Sequence, residues 1–174
     1  ARTRATYGHF RAPADFSLDA ACGGAAPHAF RYRRDAGTVH HCFHGGWIWV
    51  IPFDNAHVSV GVVLDLDMHP YDPAVDKRDE FWSFVRRFPT VAAHLGKLTP
   101  VRPLVRLGRL QFRAERCYAH RALLTPHAAG FIDPLYSTGI NLTTRFVLRA
   151  VPRIVALVRA ERAAAGAAAA AAAT

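Results

Sequence analysis

Lysine is almost missing from this 174-residue chain: Lys77 and Lys97 are the only two among 22 Lys and Arg residues. The net charge of +9 and the sequence pI near 10.3 are therefore arginine-made and spread along the whole length. Such dispersion fits codon bias as readily as a nucleic-acid footprint, which needs its charge on one face, and no nucleic-acid partner is expected. Cysteine is scarce too. Cys22, Cys42 and Cys117 are odd in number and widely spaced, which excludes a disulfide framework and a CxxC unit and fits a reducing cytoplasm. No run approaches the roughly 18 apolar residues of a membrane span, and no basic segment leads into an apolar one, so a soluble protein without a targeting segment is expected. The GxGxxG turn of dinucleotide-binding folds is absent, since Gly23-Gly24 and Gly45-Gly46 are not spaced for it.

What is present is apolar. A hydrophobic content of 51% supports a packed core. Residues 13–28, rich in Ala, Pro and Gly, read as loop, and strands are predicted over 29–34, 38–44, 46–53 and 57–65. In the last run Val58, Val60, Val62 and Leu64 share one face while His57, Ser59 and Asp65 take the other, the period of a half-buried strand. Asp54-Asn55 supplies a tight hairpin. Arg31, Arg33 and Arg34 alternate with aromatics as a solvated strand edge would.

Farther on, 75–87 carries Phe81, Phe84 and Val85 on one side, as an amphipathic helix does, and Pro89 opens a second helix over 89–95. Short strands are expected over 101–107, 109–114 and 120–124. A long helix with Arg145, Arg149 and Arg153 opposite its apolar positions runs from 139 to about 162, with a kink at Pro152. From Ala163 the low-complexity tail lacks an anchoring face and should fray.

The stretch HAAGFIDPLYSTGINLT, His127 to Thr143, stands out. Asp133-Pro134 favours a turn, and Ser137 and Thr138 are capping residues just ahead of the apolar run. The first amides of the following helix have no partner within it and form an anion site, with Gly130 and Gly139 bare of side chains beside them. The plainer alternative is a glycine-punctuated turn that caps a core helix.

Two motifs in order, GWIWVIP (Gly46–Pro52, matching WxWxIP throughout) and AGFIDPLYSTGIN, with SVGVVLD (Ser59–Asp65) between them, resemble the C-terminal half of flavin-dependent halogenases and related FAD-dependent monooxygenases. The resemblance covers about residues 5 to 160. It implies an α+β fold: an antiparallel substrate-domain sheet with helices over 1–125, a FAD-facing segment and long C-terminal helix over 126–162, and the tail 163–174. That is a partial FAD-binding, glutathione-reductase-like fold without its N-terminal nucleotide-binding βαβ unit, cut from a longer chain. It further implies FAD contacts from Gly130, Phe131, Asp133, Pro134, Thr138, Gly139, Ile140 and Asn141, and a halide on the amides of Thr138 and Gly139. A substrate tunnel near Trp47, Trp49 and Tyr136 follows from the same likeness.

The activity so implied is oxygen activation at reduced flavin, supplied by a separate reductase, followed by attack on an electron-rich organic substrate. The catalytic lysine of halogenases falls outside this chain, and the fragment alone is expected to be inactive. Pro126 and His127 replace the usual Gly-Asp that reaches FAD, and Tyr136 replaces the glutamate of tryptophan halogenases, so an indole substrate is not expected. The alternatives are a flavin-dependent reductase of the geranylgeranyl-reductase-like type, or a basic nucleic-acid-binding module using the arginines at 145–162. His40, Cys42 and His44 share one side of a strand, but their spacing of about 7 Å is too wide for a compact zinc site, and no metal is expected.

Overall fold

The computed structural model describes residues 2–21 and 32–172, which fall into two compact units, Ala1–Leu110 and Gln111–Thr174. Among the described residues the first unit is an antiparallel sheet backed by helices. Its strands are β1 (Thr3–Arg11), β2 (Val39–Phe43), β3 (Gly46–Pro52), β4 (His57–Asp65), β5 (Thr99–Pro100) and β6 (Val105–Leu107). The order is β2-β3-β4-β1-β5, with β6 also paired to β1. The helices are α1 (Leu18–Ala21), α2 (Lys77–Val85) and α3 (Pro89–Leu95).

Val58, Val60, Val62 and Leu64 of β4 are all buried in the core, but the strand expected to be half-buried is covered on both faces, with Ser59 and Val63 of the other face buried as well. Ile48 and Val50 from β3, Phe10 from β1, and Phe81, Phe84 and Val85 from α2 complete the core. Asp76 caps α2 by accepting the Arg78 amide at 2.8 Å, and Pro89 opens α3. The β2–β3 hairpin turns on Gly45 at φ +80°, where a side chain would also press on Met68 and His69. In the β3–β4 hairpin the left-handed residue is Ala56 (φ 58°), not Asp54 or Asn55.

The strand β1 has no counterpart among the sequence expectations, although it sits beside β4 over its whole length, from Thr3↔Asp65 to Arg11↔His57. Its core side holds Arg4, Thr6, Gly8 and Phe10, which hides the apolar alternation. Arg4 is only 2% exposed and its guanidinium meets the Glu80 carboxylate at 2.7 Å. Arg106 of β6 approaches the same carboxylate at 3.2 Å. Arg4 Nε donates to the His69 carbonyl and Arg106 Nη2 to that of Val75.

Of the strand expected over 29–34, residues 29–31 lie outside the described ones, as does Cys22. Arg34–Ala36 form a 3-10 turn, and Arg33 pairs with Asp35 at 2.7 Å, so Arg33 and Arg34 serve a loop and not a strand edge.

The second unit contains β7 (Phe112–Arg113), β8 (Tyr118–Ala119), β9 (Ala122–Leu123), α4 (Pro126–Ala129), β10 (Gly130–Phe131) and α5 (Thr138–Ala172). The strands expected over 109–114 and 120–124 shrink to two-residue pairs, β7 with β10 and β8 with β9. The helix starts at Thr138 and passes Pro152, then continues through Ala172. Alanine's helix propensity carries the tail beyond the expected end near 162.

Phe81 is 1% exposed and touches the rings of Phe10 and Trp82. Phe81→Ala should therefore cost about 3–5 kcal/mol in denaturant unfolding. Tyr118→Ala, at a side chain 73% exposed, should stay within about 0.5 kcal/mol. Equal losses from both would contradict this core.

Four histidines resist protonation. Burial lowers the pKa of His41, with His94 and His40 adding to it, and burial also lowers that of His40. His94 is lowered by burial and then Lys97, against an opposing Asp35, and His9 by burial, Arg102 and His57. Each folded value lies below the unfolded 6.5, so the unfolded chain takes up protons first. This stability is complete above 6.5 and is lost as pH falls. The Tm should drop between about pH 7 and about pH 5.5, and a flat or rising profile would refute it.

Candidate functional site

The Asp-Pro turn is braced by its own side chains. Asp133 Oδ1 accepts the Leu135 amide at 3.0 Å, and the Ser137 amide donates to the Pro134 carbonyl at 3.1 Å. The Thr138 hydroxyl donates back to the Leu135 carbonyl at 3.0 Å, so it does not reach forward as a cap on the first turn of α5. Tyr136 and Ser137 are consecutive left-handed residues, φ 55° and 53°, and neither is glycine. Such geometry costs roughly 1–3 kcal/mol per residue and commonly marks a functional turn. It swings the chain so that α5 begins at once, with its first amides lacking carbonyl partners inside the helix.

Those amides open beside a cleft of about 370 Å³ in the second unit. Of the predicted cofactor residues Gly130, Phe131, Asp133, Thr138 and Gly139 line it, whereas Pro134, Ile140 and Asn141 do not. Arg113 and His127 add polar groups to the wall. Phe131 stacks on Phe112 at 6.4 Å and meets the His127 ring edge-on at 5.6 Å. Gly130 runs extended, close enough to β7 that a Cβ would lie 3.1 Å from the Phe112 carbonyl oxygen. The His127 ring lies directly on the α-carbon of Gly139, and any Cβ there would overlap it. Gly139 is thus required by a neighbour's ring, not by its φ. Arg113 was not legible as a site residue, because a two-residue strand gives no periodic signal.

Tyr136, 70% exposed, lies in the second unit, while Trp47 and Trp49 belong to the first. There they occupy the sheet face opposite Ile48 and Val50, with ring centroids 5.6 Å apart. Tyr7 of β1 stands 5.8 Å from Trp49 of β3, across Gly61 of the intervening β4. The Trp49 indole lies over Gly61, where a side chain would overlap it, and its Nε1 donates to Ser59 Oγ at 3.1 Å. Both tryptophans are therefore fixed in place. His40 packs against Trp47 at 5.2 Å, and His44 falls past the end of β2 in the hairpin turn, so the three expected on one strand face do not share it.

A family profile described as tryptophan halogenase matches residues 18–171. Tetracycline 7-halogenase of Kitasatospora aureofaciens is 41% identical over 129 residues, 71% of this chain and 23% of that protein. Monodechloroaminopyrrolnitrin halogenase PrnC of Pseudomonas fluorescens is 40% identical over 135 residues, 74% of this chain and 24% of that protein. Among solved structures, halogenase PltM aligns with a TM-score of 0.76 at 26% identity, covering 92% of this chain and 32% of PltM. A PltM mutant in complex with FAD aligns at 0.77 and 26% identity, again over 92% of this chain and 32% of that one. The chain thus spans under a quarter of the length of these curated relatives.

The contact between His127 and Gly139 yields a paired test. Gly139→Ala should lower stability by about 1–3 kcal/mol, because a methyl group must displace the ring. Adding His127→Ala should recover most of that loss in a double-mutant cycle read by thermal unfolding. Additive losses would mean that the ring does not rest on Gly139.

Proposed function

The chain belongs to the tryptophan halogenase family, and from that premise we propose that it works as the C-terminal part of a longer FAD-dependent halogenase. FAD is the cofactor of flavin-dependent halogenases. The observation that carries the reading is the start of α5, set by a strained left-handed pair beside a glycine-walled cleft. The helix dipole and free amides there favour an anion or an electron-rich ring edge.

In this reading Gly130, Phe131, Asp133, Pro134, Thr138, Gly139, Ile140 and Asn141 meet the flavin end of FAD, and the Thr138 and Gly139 amides hold a halide. The residues fit such a group. Gly130 brings bare backbone to the cleft, Phe131 offers an apolar ring, and the His127 ring covers the α-carbon of Gly139. Bound FAD, reduced by a separate reductase, would supply oxygen activation. The chain's own part is to seat the ring, hold the halide and exclude water with Phe112, Phe131 and Leu142. His127, a hydrogen-bonding ring where relatives place a carboxylate, changes that contact from a pure acceptor to one able to donate.

By the resemblance, Trp47 and Trp49 in the first unit and, independently, Tyr136 in the second are assigned to substrate contact. The substrate class is an electron-rich aromatic, in keeping with a PltM structure in complex with phloroglucinol and FAD, 27% identical with a TM-score of 0.75. The glutathione-reductase-like FAD fold would be completed by an upstream nucleotide-binding unit. The apolar side chains that α5 exposes, such as Leu148 and Leu157, suit burial in a larger protein.

The pyrophosphate contacts would then come from that upstream unit, and the 174-residue chain alone should bind FAD weakly and not turn over. Titration of the purified chain with FAD, followed by flavin fluorescence, tests this division. Micromolar or tighter binding by the isolated chain would overturn it. Restoring the upstream sequence should bring both FAD binding and halide-dependent turnover of a phenolic substrate.

A further inference from the structure

The contact joining β1, α2 and β6 is unbalanced in charge. Arg4 and Arg106 share the single carboxylate of Glu80, with side chains 2%, 12% and 10% exposed. One buried acid against two buried bases leaves a net charge of +1. Isolated charge is expensive to hold away from water, and a cluster of this kind needs an acceptor. Asp76 also feels Arg106, but its carboxylate is at the surface and caps α2. Tyr71 lies over both guanidinium groups, 5.3 Å from Arg106 and 6.0 Å from Arg4, and gives only its ring face.

Among the described residues Arg4 Nη1, Arg106 Nε and the Thr6 hydroxyl are buried without a hydrogen-bond partner, and so is Glu80 Oε2, which faces Arg106 Nη2 at 3.2 Å, so three unmet donors stand against one unmet acceptor. Arg4 and Thr6 point to the same side of β1, and Thr6 is paired with Arg106 across the β1–β6 ladder. All three can donate, and buried donors of this kind are almost always satisfied. Excess positive charge and surplus donors ask for the same thing.

We propose that the Arg4, Thr6 and Arg106 donors bind one small monovalent inorganic anion, of the halide class, beneath Tyr71. A halide fits because it accepts from several directions and cancels the surplus charge without needing donors of its own. The site is built from first-unit residues and uses none of the residues at the start of α5. Tyr71, 45% exposed, forms the outer cover, and its displacement gives the route of entry.

The test compares the protein in sulfate buffer free of halide with the same buffer in which sodium bromide replaces sulfate at constant ionic strength. Above the dissociation constant, each tenfold rise in bromide should raise the folding equilibrium constant about tenfold. Arg106→Met, which keeps the apolar stem and removes the charge, should abolish the bromide response, and Thr6→Val should weaken it. Crystals grown with bromide should show an anomalous peak beside Arg4 Nη1 and Arg106 Nε. That peak decides the matter even if Arg106→Met fails to fold. A bromide-independent Tm, a response unchanged in both variants, or bromide found only at the start of α5 would overturn the proposal and leave ordered water as the occupant.

Discussion

The carboxylate of Glu80 is the point on which the first unit closes. It receives Arg4 from β1 and Arg106 from β6, and its own helix carries Phe81, Phe84 and Val85 into the core. Three elements far apart in sequence are therefore tied through one side chain. Ion pairs of this kind are weak evidence for net stability, since a well-packed apolar cluster of similar volume is often as stable. Removing one member is another matter, because a stranded buried charge typically costs about 3–5 kcal/mol. The triad thus works as a register device: with Arg4 turned to any other face, β1 would present the wrong set of side chains to β4 along nine paired residues.

That same triad explains where reading the sequence falls short. An arginine inside a strand breaks the apolar alternation, so β1 is hidden although it lies at the middle of the sheet. By contrast β4 was legible from Val58, Val60, Val62 and Leu64, and α2 from Phe81, Phe84 and Val85, because these periodic apolar residues all reach the core, although β4 is buried on its other face too. In the second unit periodicity fails for a different reason. Pairs such as β7 with β10 are two residues long, too short to show any repeat, and they are held by the turns around them.

The candidate site divides in the same way. Asp133-Pro134 announced the turn, and Gly130 and Gly139 announced the need for bare backbone. What no pattern disclosed is why Gly139 must be bare. The cause is the ring of His127, twelve positions earlier, which fills the space a Cβ would take. Nor do Tyr136 and Ser137 look like left-handed residues, since neither has the side chain that usually tolerates that geometry. The hydrogen bonds around them help to hold them there.

Those bonds bear on how the site would work. Asp133, Pro134 and Leu135 brace the turn with three hydrogen bonds made inside the segment Asp133–Thr138. The amides at the start of α5 are therefore aimed before any ligand arrives. A site organised in advance does not spend binding energy on ordering its own backbone, so more of each contact goes to the ligand. The strain of two left-handed residues is borne in the folded protein, by the turn and by the 35-residue helix that continues it. Loosening the brace at Asp133 would let that strain relax by turning the amides away, which weakens an anion site without touching any residue that contacts the anion.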